Sequence, residues 1–321
     1  LALSRFTESS MKANNPIAGA YGVAINDFQA DEEGNIHYSR TLDGYKDFLL
    51  LLNSWAKEGL IDDDFINRTF PDSTKLFQNG TAGMVFEHSI TIKGDLTAGQ
   101  AIDPDFDVTA TEYPRINKDD QLHLTHMVSS VNSFSWQVAS TCEHPVEAVK
   151  FVDFLMRDDI VRMTAWGTPE SGTYTEDADG NRTYTDFVLN NPDGIEYGTM
   201  RDLYACTTFQ IKYDQQQEEQ MYTLPQDLGS WPIWQRDNDN AYRLPTWLTL
   251  STEESEEVTA IKSKLDNYSD EMVYKFIFGE VSIEDEWPTF VETLKGLGSE
   301  RAEEIYKAAY DRYQERSSAA E

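Results

Sequence analysis

Side chains able to do chemistry are plentiful in this chain, and most of them are carboxylates. Asp62-Asp63-Asp64 and Glu253-Glu254 bring together the residue type that a glycosidase uses as acid and base. With 57 Asp and Glu among 321 residues, such neighbours occur throughout the sequence. Their separation in space, which would decide a mechanism, is not readable from spacing, so they read as solvated surface. His123 and His126, three apart, could chelate a metal on a helix. Leu122-His123-Leu124-Thr125-His126 alternates like a strand, however, where positions i and i+3 point to opposite faces. Asp177-Ala178-Asp179-Gly180-Asn181 starts like a calcium loop, but Arg182 takes the sixth position, where the sharp turn needs Gly. A hairpin turn is the simpler reading. No nucleophile elbow, P-loop or dinucleotide fingerprint is present. No metal, cofactor or catalytic residue is therefore expected.

Aromatic rings in polar, irregular stretches are what remain. Trp166, Tyr174, Trp231, Trp234, Tyr242 and Trp247 lie in or beside loops rich in Asp, Asn, Gln and Glu. Such neighbourhoods suit sugars, because a ring face stacks on CH groups while polar side chains take the hydroxyls. Packing of each ring in a core or lid is the competing reading.

Charge narrows the partners. A formal net charge of -31 argues against nucleic acid and anionic membrane surfaces, which need clustered Lys and Arg. It favours a soluble acidic protein with neutral or cationic partners, and it also serves solubility in a salty surrounding. Hydrophobic residues at 40% can bury a sizeable core. No apolar run approaches the ~18–20 residues of a membrane helix. Cys142 and Cys206 fit neither a disulfide framework nor a metal spacing and read as two free thiols, with a single bridge as the alternative.

The elements that must position these residues alternate between strands and helices. Asp31 to Asn35 reads as a hairpin turn. Leu42, Tyr45, Phe48, Leu49, Leu52 and Trp55 form one face of a helix that ends at Gly59. Strands are expected at 82–86, from 106 towards Pro114, and over 131–139. Pro145 opens a helix with Val146, Val149, Phe151, Val152, Phe154 and Leu155 on its apolar side. Residues 167–186 read as irregular. After Pro245 the chain is helical, starting from a capping box at Ser251 to Glu254. Length and alternation suggest an α/β protein of about two domains.

Several segments resemble one family. Tyr45 to Phe65, with Trp55-Ala56-Lys57-Glu58-Gly59-Leu60-Ile61-Asp62, is similar to a segment of the bacterial extracellular solute-binding proteins of family 1 type, the lipoprotein receptors of ABC sugar importers. Phe77-Gln78-Asn79-Gly80-Thr81-Ala82-Gly83-Met84 resembles their helix-to-strand step, and Pro145 to Trp166 resembles a further helix. Tyr268 to Met272, Lys275 to Glu280, Glu286-Trp287, Leu294 to Gly298 and Ala309 to Tyr313 look like the tail of the LplA-like branch.

The resemblance implies a periplasmic-binding-protein-like type II fold, with two lobes, a hinge and a ligand cleft between them. It places Leu1 inside the second lobe, so the first lobe and its lipid-modified cysteine would precede this chain. Residues 1–126 would belong to the second lobe, 127–165 would return to the first, and 166–321 would complete the second. A monomeric, extracellular, lipid-anchored receptor of Gram-positive type is expected, delivering a carbohydrate to ABC permease subunits. Its site would include Trp166, Glu170 and Tyr174, then Glu87 and His88 at a strand end, with Trp231 and Trp234. The alternatives are an acidic glycoside hydrolase, or a receptor for a peptide or other small solute.

Overall fold

The computed structural model describes residues 1, 16–24, 28–86, 91–124, 136–195, 197–210, 212, 214–220, 222, 224–235, 239–245 and 248–318. Its helices, in chain order, are α1 (Pro16–Ala20), α2 (Asp43–Lys57), α3 (Phe70–Gln78), α4 (Ile92–Gln100), α5 (Pro145–Leu155), α6 (Asp158–Trp166) and α7 (Asp186–Leu189). Then follow α8 (Tyr197–Tyr204), α9 (Gln215–Glu219), α10 (Pro225–Gln235), α11 (Thr252–Ile277), α12 (Ile283–Gly296) and α13 (Ser299–Ser318). The strands are β1 (Phe28–Ala30), β2 (Ile36–Tyr38), β3 (Tyr174–Glu176) and β4 (Arg182–Tyr184). The chain separates into two compact units, Leu1–His126 with Gly229–Glu321, and Met127–Leu228.

In the first unit, α2, α11, α12 and α13 enclose the core with the β1–β2 hairpin. The apolar face anticipated for α2 is buried at Tyr45, Phe48, Leu49 and Leu52, and Gly59 closes the helix at φ 71°. Ser251 and Glu254 form the expected reciprocal cap of α11, the Ser251 hydroxyl accepting from Glu254 N and the Glu254 carboxylate from Ser251 N. Ala302, Ile305 and Ala309 bury one side of α13, and Tyr306 lays its ring 4.5 Å from that of Phe28.

The second unit holds α5 to α9 and the β3–β4 hairpin. Ala165, Trp166, Tyr184, Val188 and Met200 form its larger cluster, and Leu155 with Ile160 a smaller one. Residues 165 and 166, between which the resemblance draws a division, both belong to this unit.

Both hairpins turn on the same five-residue pattern, Asp-x-x-Gly-Asn. In Asp31 to Asn35 and in Asp177 to Asn181, the Asp amide donates to the Asn carbonyl at 2.9 and 3.0 Å. The Asp carboxylate accepts the Asn amide at 2.8 and 2.9 Å and the Asn side chain at 2.9 and 3.0 Å. Gly34 and Gly180 take φ of 79° and 85°, which a side chain would resist. Asp177 therefore spends its carboxylate on a hairpin turn.

Two strand expectations are corrected. Val85 stands in an isolated bridge, and among the described residues neither 82–86 nor 106–115 forms a strand ladder. Around 113–120 the backbone is instead tied by the Arg115 guanidinium, which donates to the Asp120 and Tyr113 carbonyls. Alternating burial resembles strand periodicity, but a strand also needs a neighbour to accept its amides, and Pro114 has none to give. Of the third expected strand, 131–135 lies outside the described residues and 136–139 is irregular. Trp231 and Trp234, expected in or beside loops, fall within α10, which accommodates Pro232 inside it.

Candidate ligand-binding site

The loop after α6 is built on a rigid frame. Trp166 ends the helix, and Gly167 turns the chain at φ 88°, ψ -173°. A Cβ on Gly167 would lie 2.9 Å from the Tyr204 carbonyl oxygen and 3.0 Å from the Ser171 and Thr173 hydroxyls. Only glycine fits that conformation and that approach. Pro169–Ser171 makes one turn of 3-10 helix, and Gly172 at φ 70° leads into β3. Thr173, nearly fully buried, donates its hydroxyl to the Trp166 carbonyl at 2.5 Å. The Thr185 amide closes the loop on the Thr173 carbonyl at 2.9 Å.

Beneath the loop sits a polar network anchored on Trp166. Its indole Nε1 donates to Asp214 Oδ2 at 2.8 Å, and Arg182 lies 4.0 Å from the same carboxylate. Arg182 also donates to Glu176 at 2.8 Å, and Arg162 approaches Glu176 at 3.7 Å. The Tyr184 hydroxyl donates to the Ala165 carbonyl at 2.9 Å. Gln217 donates to that same carbonyl at 2.7 Å and to the Tyr184 oxygen at 3.0 Å. Burial, with Tyr197 beside it, pushes the Tyr184 phenol well above its ordinary value, so it stays a neutral donor.

This frame sorts the residues singled out from the sequence. Glu170 is exposed on the 3-10 turn, a carboxylate free to accept hydroxyl hydrogen bonds. Tyr174 is half-buried, its ring 5.8 Å from that of Trp166. Trp166 itself is fully buried, 4.5 Å from the Tyr184 ring, and has no exposed face to offer a ligand. Stacking by Trp166 is thus corrected to packing: its partners Tyr184 and Asp214 are too distant in sequence for spacing to reveal. Trp234 donates its Nε1 to the Thr111 carbonyl at 3.0 Å. Glu87, His88 and the Trp231 side chain lie outside the described residues, as do His126 and Trp247.

Two aromatic features escaped the sequence reading. In the second unit Phe187 and Tyr204 meet edge to face at 5.1 Å, and both rings are exposed. Tyr204 is the residue whose carbonyl abuts Gly167, so this pair borders the Glu170 loop. Both occupy short helices and not the polar, irregular segments in which the sequence suggests sugar-facing rings. In the first unit the His123 ring lies 4.5 Å from that of Tyr242, tilted by 36°, and places Nδ1 2.8 and 2.9 Å from the Asp239 oxygens. Burial raises the Asp239 carboxyl, but hydrogen bonds from the Ala241 amide and His123 outweigh it and hold it below the usual range. Among the described residues no group of three or more His, Cys, Asp or Glu is placed to hold a metal.

An exposed carboxylate and aromatic edges on a fixed frame can bind a polyhydroxylated solute. No family model matches the sequence, and comparison with curated proteins finds no match. Solved structures do match. An extracellular solute-binding protein from Bifidobacterium longum subsp. infantis superposes with a TM-score of 0.69 at 14% identity, over 97% of this chain and 64% of that one. An alginate-binding protein solved without calcium ion gives 0.63 at 19% identity, over 95% and 65%. An S. pneumoniae ABC-transporter substrate-binding protein in complex with kestose gives 0.60 at 15%, over 98% and 63%. The chain thus spans under two thirds of the length of the structures it matches, and over that span it has the α/β fold of periplasmic solute-binding proteins.

Proposed function

We propose that this chain is part of an extracellular receptor that captures a carbohydrate and hands it to the permease subunits of an ABC transporter. The observation that carries the reading is the fold. Over 95–98% of its length the chain follows structures described as solute-binding, alginate-binding and kestose-bound ABC-transporter proteins. Binding without turnover is the role, and Glu170 with Tyr174 is the proposed contact in the second unit. On this reading the receptor is a lipoprotein held at the cell surface by a lipid upstream of the present residues. Among the described residues no helix is long and apolar enough to cross a membrane.

Thermal unfolding of the full-length gene product against kestose, alginate oligosaccharides and a monosaccharide panel tests the proposal. A ligand present at a hundred times its Kd stabilises the folded state by about 2.7 kcal/mol, a shift readily seen. Stabilisation by one sugar class, with no new reducing ends after prolonged incubation, is the expected result. Release of reducing ends would make the protein a hydrolase, and stabilisation by peptides alone would assign a different solute.

A further inference from the structure

Two rings of the second unit stay open to solvent beside the Glu170 loop. Phe187 and Tyr204 are 37% and 44% exposed, and their planes meet at 66°, so the pair makes a corner and not a flat stack. Backbone ties this corner to both ends of the loop. At the start, a Cβ on Gly167 would come within 2.9 Å of the Tyr204 carbonyl oxygen. At the far end, the Thr185 hydroxyl donates to the Gly172 carbonyl at 2.7 Å, and Phe187 follows two residues later in α7. Glu170 lies in the sequence midway between these ties.

Carboxylates next to the two rings are already engaged. Asp186 accepts from the Asn190 side chain at 2.9 Å, and Asp202 from the Thr207 hydroxyl at 2.5 Å. Among the described residues, no hydrogen bond or ion pair engages the Glu170 carboxylate or the Tyr204 hydroxyl. An aromatic corner with an uncommitted acceptor and an uncommitted hydroxyl suits a sugar, whose CH face packs on a ring while its hydroxyls donate to the carboxylate.

Charge narrows the sugar. Residues 127–228 carry seventeen Asp and Glu against six Lys and Arg, a net charge of -11. Five of those six cations face a carboxylate within 4.0 Å: Arg162 and Arg182 share Glu176, Arg201 turns to Asp202, and Arg157 and Lys212 turn to Asp159 and Asp158. The sixth, Lys150, is on α5, which does not build the loop. A uronate would bring its own carboxylate to a place where Glu170 repels it and the cations are spent on other partners. We propose that Phe187 and Tyr204 form a second subsite beside Glu170, and that the ligand is an uncharged oligosaccharide and not a uronate. Tyr174 in β3 and Tyr204 at the end of α8 are separate platforms, which gives stacking to more than one sugar unit. The inference rests on the carbohydrate reading and adds to it the class of sugar.

Calorimetric titration of the full-length gene product with kestose, maltotriose and a trimannuronate tests it. A neutral trisaccharide should bind, and the trimannuronate should bind about a hundredfold more weakly. Tyr204→Ala and Phe187→Ala should each weaken the neutral trisaccharide by about tenfold. Glu170→Lys should reverse the preference, tightening the trimannuronate by about tenfold. Equal affinity of the parent protein for neutral and acidic trisaccharides would overturn the proposal. If Glu170→Ala weakens binding while both ring variants bind like the parent, the carbohydrate reading stands and the subsite falls. If none of the three sugars binds, the carbohydrate reading itself falls and takes this inference with it. Should a ring variant fail to fold, the Glu170→Lys result decides, because an unfolded protein cannot gain a ligand.

Discussion

Arg40, whose side chain is fully buried, donates Nη2 to the Asp270 carboxylate at 2.6 Å across 230 residues of sequence. It joins the start of α2 to the middle of α11, and Arg40 also bonds the Ser269 hydroxyl. Tyr38 and Tyr45 lie around the guanidinium, and burial pushes both phenols above their ordinary values.

Removing Asp270 should therefore be costly. Asp270→Ala removes the carboxylate that the buried Arg40 Nη2 donates to, which destabilises by about 3–5 kcal/mol. Urea unfolding should show a lower midpoint with an unchanged slope. A loss below about 1 kcal/mol would show that the pair behaves like a surface ion pair.

Gly167 combines a positive φ with a 2.9 Å approach to the Tyr204 carbonyl. Gly167→Ala should cost about 1–3 kcal/mol, from backbone strain and the displaced contact. Gly80, also at positive φ but with open space around its Cβ, isolates the first term. If Gly167→Ala and Gly80→Ala lower the melting temperature equally, the approach to Tyr204 contributes nothing.

Asp31 sets a pH window. Burial raises its carboxyl, but hydrogen bonds from His37 and Asn35 prevail and bring it to about 2, below the ordinary 3.8. Because the folded value is the lower one, its stabilising contribution is fully present above pH ~4. It fades as the pH falls towards ~2, where the unfolded state binds the proton more tightly. A carboxyl NMR titration should place the Asp31 midpoint near 2, and Asp31→Asn should flatten the acid limb of the stability curve. A midpoint near 4 would mean that the turn does not hold its carboxylate.

Glu170 and Tyr174 should separate binding from stability. Glu170→Ala, on an exposed side chain, should weaken carbohydrate binding by the full-length receptor more than tenfold, about 1.4 kcal/mol, with the unliganded melting temperature unchanged. Tyr174→Ala should lower both, since its ring packs against Trp166. Calorimetric titration that finds unaltered affinity in Glu170→Ala would remove the loop from the site.

How much of this was legible beforehand follows the range of each interaction. The α2 face, its Gly59 stop and the Ser251–Glu254 cap were readable because each is complete within a few residues. The two Asp-x-x-Gly-Asn turns are likewise local, closed by one carboxylate on an amide four residues away. The strand expected from 106 towards Pro114 is irregular instead, because a strand exists only with a ladder partner, which sequence pattern does not supply, whereas Val85 in 82–86 stands in an isolated bridge.

At the candidate site the division falls in the same place. Sequence alone determined that the segment after Trp166 must be irregular, since Gly167, Pro169 and Gly172 forbid a continuing helix, and that it carries Glu170 and Tyr174. Tertiary structure decided which ring is interior. Trp166 is buried because Tyr184 covers it and Asp214 accepts its indole N–H, 18 and 48 residues further on. Phe187 and Tyr204 stay exposed near helix ends, their rings packed edge to face on each other. Burial is a property of what faces a side chain, and the facing residue is fixed by the fold and not by the neighbours in sequence.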